Sequence, residues 1–276
     1  MENRDAEVAR EDDILEIYHE NSKNVRWMMR NRKAHQVHYE KPVLELMARG
    51  PKAYENRVKL VLPRNDAKNK NRGQFERVML RRRSSRNFSS SPMSLQDLTK
   101  ILFFANGITD VYVSGGYRNF RRNVPSSGNL GSIEVYPLIN RVEGVEPGIY
   151  HYDPLENSLA CLKSGDFKHL IMDRMIYQPE FADAAVLLIT SALIDRVRAK
   201  YGDRAYRYVH LDAGHVGENV YLTCAALSLG CCATAGFIDN EVNDFIGIDG
   251  INETVVYILA IGYDAPNSQE GPYNYA

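Results

Sequence analysis

Four short runs of residues carry side chains whose types and spacing suit chemistry. The first is Arg82-Arg83-Ser84-Ser85-Arg86-Asn87-Phe88. In extended backbone, residues 82, 84 and 86 share one side, presenting guanidinium, hydroxyl and guanidinium. That set grips a terminal phosphate and the hydroxyls next to it; the plainer alternative is a solvated basic turn ahead of the next helix. The second run is Pro125-Ser126-Ser127-Gly128-Asn129, preceded by Arg122 and followed by Gly131 and a stretch holding Glu134 and Tyr136. Its hydroxyls and amides can donate hydrogen bonds to a ring or polyol, although a plain strand-entry turn has the same composition. The third is Lys200-Tyr201 before Gly202, with Asp203, Arg204, Tyr206 and Arg207 close behind. A lysine in the last turn of a helix usually complements the dipole; the chemical alternative is a partly desolvated amine that takes a proton, with a phenol beside it. The fourth is Asp212-Ala213-Gly214-His215-Val216-Gly217-Glu218-Asn219. Two mid-helix glycines cost about 1 kcal/mol each relative to alanine, which predicts close packing of something flat or bulky, a cofactor or another helix. Asp212, His215 and Glu218 are three residues apart, but no second histidine or cysteine sits at ligand spacing, so no metal site is expected.

The elements that must position these runs follow from patterning. Ser94 and Asp97 make a capping box, with Leu95, Leu98, Ile101, Leu102 and Ala105 at helical spacing and Asn106-Gly107 as the stop. Helices are also predicted near Asp13–Asn21, Pro42–Met47 and Leu193–Lys200, from Tyr206 to Leu229 with Gly230 as the stop, and from Asp239 or Asn240. Strands are predicted at Ser132–Arg141, Ile149–Tyr152, Ala184–Ser191 and Thr254–Ile261, with a short apolar stretch at Cys231–Phe237. Ala184–Ser191 is apolar throughout, as for a strand covered on both faces. Asn65–Arg72 reads as a solvated loop. The irregular alternation of helices and strands indicates an α+β fold, a central mixed sheet flanked by long helices. It is divided into an N-terminal, partly helical extension (1–74) and a compact domain (75–276).

Composition narrows the function classes. The 276 residues are enough for a large core, and a net charge of -1 argues against a general polyanion binder. A basic stretch over Arg64, Lys68, Lys70, Arg72, Arg77 and Arg81–Arg83 lacks any nucleic-acid motif, so no nucleic-acid partner is expected. The charged opening MENRDAEVARED is unlike a signal peptide, and no apolar run approaches the ~18 residues of a membrane span. Cys161, Cys224, Cys231 and Cys232 show neither CxxC pairs nor regular spacing. They predict buried thiols in a reducing cytoplasm.

In their order, these runs resemble the FMN-dependent nitroreductase superfamily, and within it the SagB-type dehydrogenases of thiazole- and oxazole-modified peptide biosynthesis. The resemblance runs from Tyr18-His19-Glu20-Asn21-Ser22-Lys23 through the four runs above to Ala235-Gly236-Phe237 and Ala260-Ile261-Gly262. It implies a nitroreductase-like sandwich that forms a homodimer with FMN at the subunit interface. By the same resemblance, Arg82, Ser84 and Arg86 hold the phosphate and ribityl chain. Arg122, Pro125, Ser126, Ser127, Asn129, Asn219 and Gly236 complete the cofactor site, and Lys200 and Tyr201 carry the catalysis. The implied reaction oxidises an azoline in a peptide to an azole, beside a cyclodehydratase partner. Two other functions fit the same residues: a general NAD(P)H-dependent reductase of small nitro, quinone or enone compounds, and a non-catalytic scaffold in a peptide-modifying complex. The sequence departs from the family pattern in two places. Where many nitroreductases carry basic phosphate ligands after the last strand, this chain has Tyr263-Asp264-Ala265-Pro266, so that Arg122, Arg204 or Arg207 supplies the charge or it is not replaced. Ser127-Gly128-Asn129 resembles the general nitroreductase version more than the Gly/Ala-rich SagB version.

Overall fold

The computed structural model describes residues 13–26, 52, 60–62 and 73–266. Helix α1 (Ile14–Ser22) begins where the Asp13 carboxylate accepts hydrogen bonds from the Leu15 and Glu16 amides. After α2 (Gln74–Arg81), α3 (Leu95–Asn106) starts where Ser94 Oγ accepts from the Asp97 amide at 3.1 Å. It stops at Gly107, whose lack of a Cβ matters because one there would lie 2.4 Å from the Phe103 carbonyl oxygen. Helix α4 (Ile194–Tyr201) turns at Gly202 into the long α5 (Ala205–Ala226), and α6 (Asp239–Ile246) follows later. The predicted stop for α5 was Gly230, but the helix ends earlier. Ser228 adopts a left-handed φ of 58° and the Leu229 amide donates back to Cys224 O at 2.8 Å, the hydrogen bond of a Schellman ending. Gly230 answers a different need: a Cβ there would lie 2.1 Å from Asp264 Oδ1.

The strands are β1 (Ile108–Ser114), β2 (Tyr117–Arg122), β3 (Ile133–Ile139), β4 (Gly148–Asp153), β5 (Ser158–Ser164), β6 (Val186–Leu193), β7 (Gly230–Thr234) and β8 (Glu253–Gly262). Six of them form one sheet in the order β5-β4-β3-β6-β8-β7. A mixed sheet was expected, yet every neighbouring pair is antiparallel. The reason lies in the last strand. β6 and β7 run the same way, joined by the helical crossover α4–α5, and β8 inserts between them, converting what would be a parallel neighbour pair into two antiparallel ones. All of β6 except Leu193 is buried, including the polar Thr190 and Ser191, which break the expected apolar run and whose hydroxyls donate to Tyr257 O at 2.8 Å and Glu253 Oε1 at 2.5 Å.

Each face of the sheet has its own core. One layer joins α3, α4 and α5 to Ile133, Val135, Leu188, Leu259 and Ile261; the other packs Phe181, Ile176 and Val242 on Leu138, Leu187 and Ile258. Helix α1 docks on the first layer through Leu15 and a buried His19, whose ring nitrogens meet Gly250 O at 2.9 Å and Tyr206 Oη at 3.3 Å. Arg198 pairs with Asp13 there and holds its carboxyl below the usual carboxylate range.

Patterning missed α2, the β1–β2 ribbon and β5. Helix α2 buries none of its residues and so shows no apolar face turned to the core. The β1–β2 ribbon turns at Gly115-Gly116, both at positive φ, and most of its residues are exposed, so it carries no burial alternation. β5 is an edge strand with one half-buried residue. Cys161 lies exposed on it, against the expectation of buried thiols, whereas Cys224, Cys231 and Cys232 are buried. The predicted helix at Pro42–Met47 and loop at Asn65–Arg72 lie outside the described residues, as do residues 64, 68, 70 and 72 of the basic stretch.

Candidate active site

The serine-rich loop and the lysine–tyrosine pair meet. Lys200 and Tyr201 close α4, with Lys200 Nζ 5.3 Å from the Tyr201 ring centre and Tyr201 edge-on to Tyr208 at 4.8 Å. Gly128 lies directly against them. A Cβ on it would be 2.6 Å from Tyr201 Oη and 2.7 Å from Lys200 Nζ, and its φ of 61° is one that only glycine adopts freely. The loop is held from α5 by Asp212, which is 3% exposed. Its carboxylate accepts from the Ser127 amide at 2.9 and 3.1 Å, from Ser127 Oγ at 2.9 Å and from Ser132 Oγ at 3.0 Å. Ser126 Oγ accepts from the Gly131 amide at 3.0 Å and closes the turn internally.

The arginine–serine run continues from the end of α2 along the edge strand β7, with the Ser85 amide donating to Cys231 O at 2.9 Å. Arg82 and Ser84 converge on a residue that the sequence did not single out. The Arg82 guanidinium lies 5.5 Å from the ring centre of Tyr221, and Ser84 Oγ is 3.2 Å from Tyr221 Oη. That phenol oxygen also accepts from the Ala233 amide at 2.7 Å. Burial pushes the Tyr221 pKa up, against the opposing pull of its Ser84 and Ala233 hydrogen bonds, so it stays a neutral hydroxyl. Arg86 is exposed, and neither it nor Arg82 has a carboxylate partner among the described residues. Asp264, standing where a basic ligand was missing, accepts from Ser85 Oγ at 2.5 Å. In the extended run, Ser85 faces away from residues 84 and 86, so Asp264 anchors the back of the run.

These two clusters lie on opposite flanks of α5. Asp212 and Tyr221 are nine residues apart on it, two and a half turns. They are separated by about 14 Å along the axis and by about 180° around it. One chain therefore presents the halves of the expected flavin site apart.

The remaining candidates divide. Arg122 is half-buried under the loop, donating to Asn106 O at 2.8 Å, and a Cβ on Gly131 would lie 2.8 Å from its Nε. Burial lowers its pKa, with Glu134 opposing. Asn129 donates to Phe120 O at 3.0 Å, tying the loop to the β1–β2 ribbon, and Pro125 is exposed on that loop. Asn219 donates to Phe104 O at 3.0 Å, joining α5 to α3. Gly236 packs against Thr234, Tyr177 and Gln178, its amide donating to Thr234 Oγ1 at 2.8 Å, three residues after Ala233, whose amide meets Tyr221. Of the helical glycines, Gly217 is explained by Tyr257, which a Cβ would approach to 2.8 Å, while Gly214 faces open space. Asp212 is buried, but His215 and Glu218 are exposed, and no group of three or more metal-ligating side chains gathers among the described residues. Among those residues no helix is long and apolar enough to cross a membrane.

Sequence reasoning missed Tyr221 and the roles of Asp212 and Ser132. The signal for Asp212 was a carboxylate placed on the buried side of α5, but its partners lie 80 and 85 residues away.

Comparison with known proteins agrees with this architecture. A protein of Methanocaldococcus jannaschii bearing the nitroreductase name is 38% identical over 174 residues, 63% of this chain and 84% of its own length. The trifolitoxin-processing protein TfxB of Rhizobium leguminosarum bv. trifolii is 27% identical over 181 residues, 61% of this chain. The chain spans about half of TfxB, 47% of its length. In fold, the chain is similar to the E. coli microcin synthetase McbBCD complex with truncated pro-MccB17 bound, at a TM-score of 0.64, 22% identity and 83% coverage of each chain. The model of the nitroreductase family matches residues 79–263, which contain both clusters, and this chain belongs to that family.

Proposed function

We propose that this chain is an FMN-dependent dehydrogenase that oxidises an azoline ring in a peptide to an azole, working as a homodimer. The observation that carries this reading is the contact of Gly128 with Lys200 Nζ and Tyr201 Oη. It sets a turn pinned by Asp212 beside an amine and a phenol. The residues also fit a flavin phosphate: two guanidinium groups without carboxylate partners among the described residues, a serine hydroxyl, and a neutral phenol behind them. The placement of the two clusters on opposite flanks of α5 supports a site shared between two copies. Similarity to TfxB and to the fold of McbBCD supports a peptide substrate, with a cyclodehydratase supplying the azoline.

Turning an azoline into an azole removes a hydride and a proton, and bound FMN supplies the hydride acceptor. The other tasks belong to the chain. Arg82, Ser84 and Arg86 bind the phosphate end, the Ser126–Asn129 loop orients the ring end, Lys200 Nζ takes the proton, and Tyr201 Oη orients the substrate ring. Replacing Lys200 by Ala tests the assignment: FMN is retained and oxidation of a thiazoline peptide falls by about 10²–10⁴-fold, the usual worth of a general base. Full activity would remove Lys200 from the mechanism. The M. jannaschii relative, with the higher identity, favours a second reading as a general NAD(P)H-dependent reductase. Rapid bleaching of bound flavin by NADH or NADPH, without azoline oxidation, decides for it.

A further inference from the structure

We infer that Asp212 is a positioning residue that sets the Ser127-Gly128 turn against Lys200 and Tyr201, without itself touching the reacting atoms. The inference rests on the reading of Lys200 and Tyr201 as the reactive pair. Asp212 receives three donors from two points of the loop, the Ser127 amide, Ser127 Oγ and Ser132 Oγ, all at 2.9–3.1 Å. The next residue, Gly128, is the one in contact with Lys200 Nζ and Tyr201 Oη. Anchor, loop and reactive pair thus form a continuous chain of contacts from α5 through the turn to the end of α4.

Asp212 has no cationic partner among the described residues. A buried carboxylate met only by neutral donors is costly, and a neutral side chain would serve mere packing better. Charge-assisted hydrogen bonds are the shorter and stronger kind, and three converging on one carboxylate fix the turn in position and in rotation. With φ at 61°, Gly128 follows wherever Ser127 is fixed, and no side chain cushions its contact with the lysine and the phenol. A shift of the turn is therefore passed directly to Lys200 and Tyr201.

The test uses the full FMN-loaded chain, a synthetic peptide carrying one thiazoline, and rates expressed per bound flavin. Asp212→Ala is expected to lower kcat by about 10²-fold with KM nearly unchanged, the size of loss that a displacement near 1 Å produces. Asp212→Asn, which keeps an acceptor oxygen for the Ser127 amide, is expected to lose about 10-fold, on the same scale. Asp212→Ala combined with Lys200→Ala should be no slower than Lys200→Ala alone, because residues acting as one unit are not additive. A substrate-free readout accompanies these: acylation of Lys200 by an amine reagent, mapped by mass spectrometry, should change severalfold in Asp212→Asn while Lys163 and Lys168 keep their rates. Should Asp212→Ala fail to fold, Ser127→Ala with Ser132→Ala removes both hydroxyl donors and is expected to lose about 10-fold in kcat. Unchanged kcat per flavin and unchanged Lys200 labelling, with only a lower unfolding midpoint, would mean a structural role and overturn the inference. If Lys200→Ala is inactive while both Asp212 variants run at full rate, the inference alone fails. If Lys200→Ala is fully active, the underlying reading fails first.

Discussion

The two flanks of α5 hold their candidate functional groups by different physics. At the Tyr221 end, Arg82 rests on the face of a ring and Arg86 is exposed, so the charges are presented with little to fix them. At the Asp212 end, the carboxylate pins the turn through three donors, and Gly128 touches Lys200 and Tyr201. An anion-binding group works by Coulomb attraction, which falls off slowly with distance and tolerates movement. A proton-transfer group works only within hydrogen-bond reach. The exposed charges therefore suit the proposed binding role, and the pinned turn suits the proposed chemistry.

Substitutions that separate affinity from turnover break or sharpen this contrast. The largest effect is expected from replacing Arg82 and Arg86 together by Ala. Two charge-assisted hydrogen bonds at about 1.5–3 kcal/mol each imply an FMN affinity lower by about 10²–10⁴-fold, read by flavin fluorescence titration. Undiminished affinity would show that the phosphate is held elsewhere. Next comes Gly128→Ala, which forces a Cβ against Lys200 and Tyr201 at a φ that costs an L-residue about 1–2 kcal/mol. We expect kcat to fall by roughly 10²-fold in single-turnover assays while FMN still binds; equal loss of both would erase the contrast.

Tyr221→Phe acts at the other end and more weakly. It leaves the Ala233 amide without its acceptor, a cost of about 1–3 kcal/mol in stability. Denaturant unfolding should show this cost, with FMN affinity a few-fold lower and kcat per flavin unchanged. The smallest effect is pH-dependent. Glu134, 3.0 Å from His151 Nε2, raises the imidazole pKa above its ordinary 6.5, against burial. The stabilisation is therefore complete below pH 6.5 and is lost as pH rises through the raised value. Glu134 also lies 3.9 Å from Arg196, which donates to Gly131 O at 2.8 Å, so the loss is felt at the loop end. Unfolding midpoints should decline over this window in the parent and stay flat in His151→Gln, with FMN affinity constant in both.

Much of this was legible in local sequence. Ser94 and Gly107 bound α3 because a cap and a close backbone approach are decided within four residues. The apolar run Val186–Ile189 in β6 announced a strand covered on both faces. The run Arg82–Arg86 presents Arg82 and Ser84 to a common neighbour, Tyr221, since alternation along extended backbone is itself local. The Gly115-Gly116 turn was also legible, as a glycine pair between β-forming runs, but it was passed over because the ribbon buries little. The antiparallel sheet was not, because strand order depends on where β8 inserts, and no local pattern specifies that.

By itself, then, the sequence determined the buried elements and the chemical inventory: the guanidinium pair, the serine turn, and the lysine beside a tyrosine. Those depend on side-chain type and on periodicities of two and 3.6 residues, which any short window contains. Only the tertiary structure decided which of them meet. Asp212 reaches Ser127 across 85 residues, Tyr221 reaches Ser84 across 137, and Gly128 reaches Lys200 and Tyr201 because two helices and a loop pack around one core. Contacts of that separation are selected by the burial of the whole sheet rather than by the residues that make them.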